Sequence, residues 1–123
     1  MVHNVDILIV DDEDMLRNLL KAELEQYQYM VDTAESGEIA IEKLHEKRFG
    51  LIILDIRMPG MDGLEVLKKI REQDLADKVI MLTGVDELKI ARDSLQLGAD
   101  DFLTKPYDIK TLLACIKRVM IEK

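Results

Sequence analysis

Five times along this chain, a short apolar run gives way to a longer stretch with apolar residues every three or four positions. The short runs are VDILIV at 5–10, YMVDTA at 29–34, GLIILD at 50–55, KVIMLTG at 78–84 and ADDFLT at 99–104. Each is of strand length, and the third is apolar enough to be buried on both faces. Between them lie DMLRNLLKAELEQY, GEIAIEKLHEK, LEVLKKIREQ and DELKIARDSLQL. Their apolar positions, such as Leu16, Leu19, Leu20 and Leu24, or Leu64, Leu67 and Ile70, fall at helical spacing. A fifth helix follows Pro106, with Asp108 as its expected N-cap and Ile109, Leu112, Leu113, Ile116 and Met120 along one side. Gly98 is placed to end the fourth. Strand–helix alternation of this kind dictates an α/β fold, a parallel sheet with helices on both faces. In such sheets ligands bind beyond the carboxyl ends of the strands, where strand order reverses.

Those carboxyl ends carry the polar residues. The first strand runs into Asp11 and Asp12, the third into Asp55, the fourth into Thr83 and the fifth into Lys105. The second ends in Asp32 and Thr33, expected at the sheet edge and away from the others. Three carboxylates, a hydroxyl and an ammonium are thus expected in one crevice. Clustered acids repel one another and would hold some carboxyls protonated unless a cation intervened. Mg²⁺ suits them, since it takes oxygen ligands and commonly uses one or two carboxylates. A magnesium site beside a lysine also suits a phosphoryl group, whose transfer rests on positioning and charge neutralisation. Aspartate can be the nucleophile, and Asp55, central in the sheet, is the candidate, with Thr83 placed to bind a phosphoryl oxygen.

Composition excludes several other classes. At 123 residues and 48% hydrophobic, the chain reads as one domain, 1–123, with a real core. Its formal net charge is −8, and its basic clusters are no larger than short pairs such as Lys68-Lys69 and Lys117-Arg118, so direct nucleic-acid binding is not expected. No apolar run nears the ~20 residues that span a bilayer, and the start, MVHNVD, lacks a signal-peptide layout. One cysteine, Cys115, precludes an internal disulfide. A cytoplasmic protein without a membrane partner is expected. His3 and His45 have no partner pattern and read as surface residues, and the seven methionines as core filler.

Four segments, ILIVDDE, LIILDIRMPGMDG, VIMLTG and GADDFLTKP, resemble the receiver domain of two-component response regulators. The likeness covers essentially the whole chain. It implies a flavodoxin-like, doubly wound five-stranded parallel sheet of order 2-1-3-4-5 with five flanking helices. It further implies a phosphoacceptor switch rather than a conventional enzyme, loaded from the phosphohistidine of a sensor histidine kinase or phosphotransfer protein, or from a small acyl phosphate. By this resemblance Asp55 is the phosphoacceptor, and Asp11, Asp12, Asp55 and the Arg57 carbonyl hold Mg²⁺. Thr83 and Lys105 contact the phosphoryl group, and Lys105-Pro106 is cis. Phe102 is the aromatic that follows Thr83 when phosphorylation remodels the face of the fourth helix, fifth strand and fifth helix, where a downstream protein binds. In the family the residues two past the phosphoacceptor and two past the threonine tune the lifetime of the acyl phosphate; Arg57 and Asp86 are read as those residues, and their opposite charges are expected to pair. One branch of the family dimerises through a basic residue on the fourth helix and an arginine on the fifth. Asp93 and Cys115 stand there, so that dimer is not expected; a monomer or a different phosphorylation-dependent dimer is.

Other readings compete. A flavin mononucleotide module shares the fold class but needs a hydroxyl- and glycine-rich loop where Asp11 and Asp12 stand. An aspartate-nucleophile phosphatase usually has a second aspartate two residues past the first, where Arg57 stands. A degenerate receiver serving as an unphosphorylated scaffold would not need the full polar set. Gly60 and Gly63 are read only as turn glycines.

Overall fold

The computed structural model describes residues 6–121, so His3 and Val5, the latter read as part of the first strand, lie outside the described residues. The strands are β1 (Asp6–Val10), β2 (Met30–Ala34), β3 (Phe49–Asp55), β4 (Ala76–Thr83) and β5 (Asp101–Thr104). The helices are α1 (Asp14–Glu25), α2 (Gly37–Glu46), α3 (Gly63–Gln73), α4 (Leu88–Gln96) and α5 (Ile109–Ile121). All strand pairings are parallel, and the order is β2-β1-β3-β4-β5, as expected. The order reverses between β1 and β3, which opens the crevice beyond their carboxyl ends.

The alternation of side chains along each strand divides the core in two. Ile7, Ile9, Leu51, Ile53, Ile80 and Leu82 face Leu20 and Leu24 of α1 and Leu112, Cys115, Ile116 and Val119 of α5. Leu8, Val10, Ile52, Leu54, Val79 and Met81 face α2, α3 and α4 through residues such as Leu44, Leu67 and Ala91. Both faces of the central strands are therefore dry, which is why β3 and β4 read as nearly unbroken apolar runs.

Helix ends follow the local chemistry. Ser36 caps α2 by accepting from the Ile39 N–H at 3.1 Å, and Asp62 caps α3 by accepting from the Glu65 N–H at 3.0 Å. Asp108 accepts from the Thr111 N–H at 2.7 Å, the cap expected for α5. Gly98, at φ +111°, follows α4 as expected.

Two elements depart from expectation. The fourth helix does not begin at residue 86; Val85–Glu87 form a separate 3₁₀ turn and α4 starts at Leu88. The apolar stripe of α1 is buried only in its second half. Leu20 and Leu24 are covered, whereas Met15, Leu16 and Leu19 are 86%, 43% and 58% exposed. No described helix is long and apolar enough to cross a membrane.

Candidate functional site

Asp55 is the last residue of β3 and Thr83 the last of β4, and both are buried. Asp11 follows β1 directly and is 3% exposed; Asp12, one residue on, faces solvent. The turn that aims Asp11 inward is tied locally. Its Oδ1 accepts from the Glu13 N–H at 2.9 Å, and its carbonyl accepts from the Arg17 guanidinium at 2.7 Å. Carboxylate oxygens of Asp11, Asp12 and Asp55 lie within 4.8 Å of one another. Lys105 enters from beyond β5. Its backbone N–H donates to the Thr83 carbonyl at 2.7 Å, and the Lys105-Pro106 peptide is cis. Its Nζ sits 3.2 Å from Asp55 Oδ2 and 4.0 Å from Asp11 Oδ2.

Burial is the dominant force on Asp55 and pushes its carboxyl from the ordinary value up to about 6. The Lys105 ammonium opposes that rise, and the Asp11 charge adds to it. One lysine does not neutralise three acids, so the site is left in want of a further cation. The donor set fits a hard divalent ion: carboxylate oxygens close together, one of them solvent-facing, leaving room for water ligands.

Thr83 is fully buried. Its Oγ1 lies 3.2 Å from the Gly84 carbonyl and 3.4 Å from the Glu87 carbonyl, the acceptors open to its hydroxyl proton. Phe102 is half-buried against the cluster beneath α2, α3 and α4. Cys115 is buried, which pushes its thiol up to about 12, and its Sγ lies 3.4 Å from Asp101 Oδ2. It therefore presents nothing at the surface where an arginine would stand. Asp93 faces solvent, 3.9 Å from Lys89.

The expected pairing of Arg57 with Asp86 is corrected by the structure. Arg57 Nε pairs with Glu87 Oε2, and Asp86 is exposed. Asp86 stands three residues past Thr83, and the position two past it is Val85, 67% exposed. The 3₁₀ turn is the physical reason. It carries Asp86 outward and folds Glu87 back, so that Glu87 Oε1 accepts from the Gly84 N–H at 3.1 Å. The signal was present as an acid three residues after Gly84, the residue that leads into the turn, which is the spacing of a capping box.

A second feature escaped the sequence. A Cβ on Gly63 would lie 2.3 Å from the Asp55 carbonyl oxygen and 2.7 Å from the Ile56 Cα. The first turn of α3 is packed directly beneath the backbone that bears Asp55. Gly63 is thus a glycine of close approach rather than of turn geometry.

The profile of the response regulator receiver domain family matches residues 7–117. The chain belongs to that family. It is 41% identical over 117 residues to the alkaline phosphatase synthesis transcriptional regulatory protein PhoP of Bacillus subtilis, covering 95% of this chain and 49% of that protein. The transcriptional regulatory protein ResD of the same organism is 40% identical over 114 residues, covering 93% of this chain and 47% of ResD. The receiver therefore spans about half the length of these relatives. Among solved structures, the chemotaxis protein CheY4 of Vibrio cholerae superposes with a TM-score of 0.88 at 33% identity, covering 95% of this chain and 99% of that one. The receiver domain of NtrX from Brucella abortus does so at 0.90 and 30%, covering 96% and 100%. The sheet order, the five helices and the acidic pocket are those of a two-component receiver.

Proposed function

We propose that this receiver is a phosphoacceptor switch in which Asp55 takes a phosphoryl group from a histidine kinase or phosphotransfer protein, or from a small acyl phosphate. An Asp55 carboxylate oxygen forms a bond to phosphorus. The bond from phosphorus to the donor's imidazole nitrogen or acyl oxygen breaks, and its electron pair leaves with the donor. The observation that carries this reading is the Lys105 ammonium 3.2 Å from a buried Asp55 carboxylate that two further acids crowd. Asp11, Asp12, Asp55 and the Arg57 carbonyl are the proposed holders of Mg²⁺, which when bound supplies charge neutralisation for the incoming phosphoryl oxygens. Lys105 pairs with that group on the other side. Thr83 then leaves the Gly84 and Glu87 carbonyls to bind a phosphoryl oxygen, and Phe102 follows, which alters the α4–β5–α5 face for a downstream protein. The names of the relatives above, as transcriptional regulatory proteins, support an output on the path to transcription. The exposed Leu16 and Leu19 on α1 line an apolar cleft with Tyr107 and Ile109, next to Lys105 of the crevice and suited to the kinase's docking helix.

The test is intact mass after incubation with acetyl phosphate, with and without Mg²⁺, on wild type and Asp55→Asn. One added phosphoryl group that requires both Mg²⁺ and Asp55 is expected. An adduct that survives in Asp55→Asn would overturn the assignment of Asp55. No adduct on wild type from either acetyl phosphate or a phosphorylated kinase would leave a scaffold role.

A further inference from the structure

Glu87 is a carboxylate beside the crevice whose side chain is only 8% exposed. Both its oxygens are committed, Oε1 to the Gly84 N–H and Oε2 to the Arg57 guanidinium. The pair is lopsided, because the Arg57 side chain is 72% exposed. One partner is fixed in the protein and the other is a long cation held from solvent. Arg57 is also anchored at the other end of its reach. Its backbone N–H points to Asp55 Oδ1 at 3.4 Å, so the guanidinium swings from a pivot at the phosphoacceptor. The turn that Glu87 closes offers the two carbonyls on which the Thr83 hydroxyl rests.

We propose that Glu87 is a positioning residue that parks the Arg57 guanidinium on the turn after β4 while Asp55 is free, and yields it when Asp55 carries a phosphoryl group. The inference rests on the phosphoacceptor reading above. The phosphoryl group adds negative charge at the pivot of the arginine, and a guanidinium binds phosphoryl oxygens by paired hydrogen bonds. Departure of Arg57 leaves Glu87 a buried charge with a single neutral donor, which is costly. The turn relaxes to hydrate it, and the two carbonyls release the Thr83 hydroxyl. The ion-pair exchange thereby links the loop after β3 to the turn after β4 through side chains other than Thr83 itself. Coupling of this kind is reciprocal, so the parked pair also holds back phosphorylation.

The test uses the full chain with acetyl phosphate and Mg²⁺. The rate of phosphoryl incorporation is followed by intact mass for wild type, Glu87→Gln, Arg57→Ala and the double variant. Glutamine keeps an acceptor for the Gly84 N–H and removes the charge. Incorporation is expected to rise about fivefold in Glu87→Gln, the low end of common coupling strengths, and the same change is expected to do nothing in the Arg57→Ala background. An unchanged rate in Glu87→Gln, or an equal effect in both backgrounds, overturns the proposal, since a merely structural glutamate does not need Arg57. If Glu87→Gln does not fold, the Arg57 Nε–H resonance of the wild type decides. Identified by its loss in Arg57→Ala, it should shift on phosphorylation and not in Asp55→Asn; a resonance that stays put overturns the proposal. Failure of wild type to take phosphate would instead strike the phosphoacceptor reading, and the two failures are told apart by mass.

Discussion

Asp55 is stabilised by its neighbours less than it is destabilised by its burial. With its folded value about 6 against an unfolded value of 3.8, the metal-free fold binds more protons than the unfolded chain between roughly those limits. The contribution of Asp55 to stability is therefore greatest below pH 4 and is lost as pH rises through 6. Replacing it with asparagine should stabilise the metal-free protein at pH 7 by about 1–2 kcal/mol, reduced from the full linkage value because water reaches the site beside the solvent-facing Asp12 and screens it. The gain should shrink toward zero at pH 4. Urea unfolding in EDTA at the two pH values checks this, and an equal effect at both would contradict it. Gly63 makes the opposite kind of prediction. A methyl group 2.3 Å from the Asp55 carbonyl oxygen must displace backbone. Gly63→Ala should lower stability by about 1–3 kcal/mol and slow phosphoryl uptake, read by denaturant midpoint and by mass. Gly63 was legible in the sequence only as a turn glycine, because close approach between a helix start and a strand end is a tertiary fact. Asp11, Asp12, Asp55, Thr83 and Lys105 were legible together because each ends a strand, and parallel strands end on the same side.

Among the elements, α1 shows how periodicity can be right about a helix and incomplete about its burial. Leu16, Leu19, Leu20 and Leu24 share a stripe, yet only the last two meet the sheet. The first turns of α1 run past the carboxyl ends of the strands, where α5 has only begun at Ile109. Leu19→Ala should consequently cost less than about 0.5 kcal/mol in stability while slowing transfer from a phosphorylated kinase several-fold. Acetyl phosphate, which needs no docking surface, should load the variant at the wild-type rate. Equal losses with both donors would argue against docking on α1. The cap of α2 is a purely local device. Ser36→Ala removes the acceptor for the Ile39 N–H and should cost about 1 kcal/mol, seen as a lower urea midpoint at unchanged m. The division of the fourth helix into a 3₁₀ turn and α4 was not legible, because DELKIARDSLQL is helical in pattern throughout. Glu87 breaks it by bonding backward to Gly84 and across to Arg57, and that second partner lies thirty residues earlier in the chain.

At the scale of the molecule, one sheet holds two dry faces and gathers its charges at one end. Ile53→Ala, at the centre of the face beneath α1 and α5, should cost about 2–5 kcal/mol. The crevice should make stability depend on divalent cation, because Mg²⁺ binding only the folded state stabilises in proportion to ln(1 + [Mg²⁺]/Kd). Saturating Mg²⁺ is expected to raise the melting temperature of wild type and leave Asp55→Asn much less affected. A wild type insensitive to Mg²⁺ from 0 to 20 mM, a range chosen as about the millimolar scale of weak oxygen-ligand sites, would count against the acidic pocket as a metal site. By itself the sequence determined the class of fold, the end of the sheet where chemistry gathers and the residues that gather there. It could do so because alternation of strand and helix is a short-range pattern, and parallel pairing converts chain order into place. The tertiary structure alone decided that Glu87 rather than Asp86 holds Arg57, that α3 presses Gly63 against Asp55, and that half the α1 stripe stays in water. Glu87 reaches Arg57 across thirty residues of chain, Gly63 meets Asp55 only because the intervening loop folds back, and the cover over α1 is set by where its neighbours end; no local period encodes such meetings.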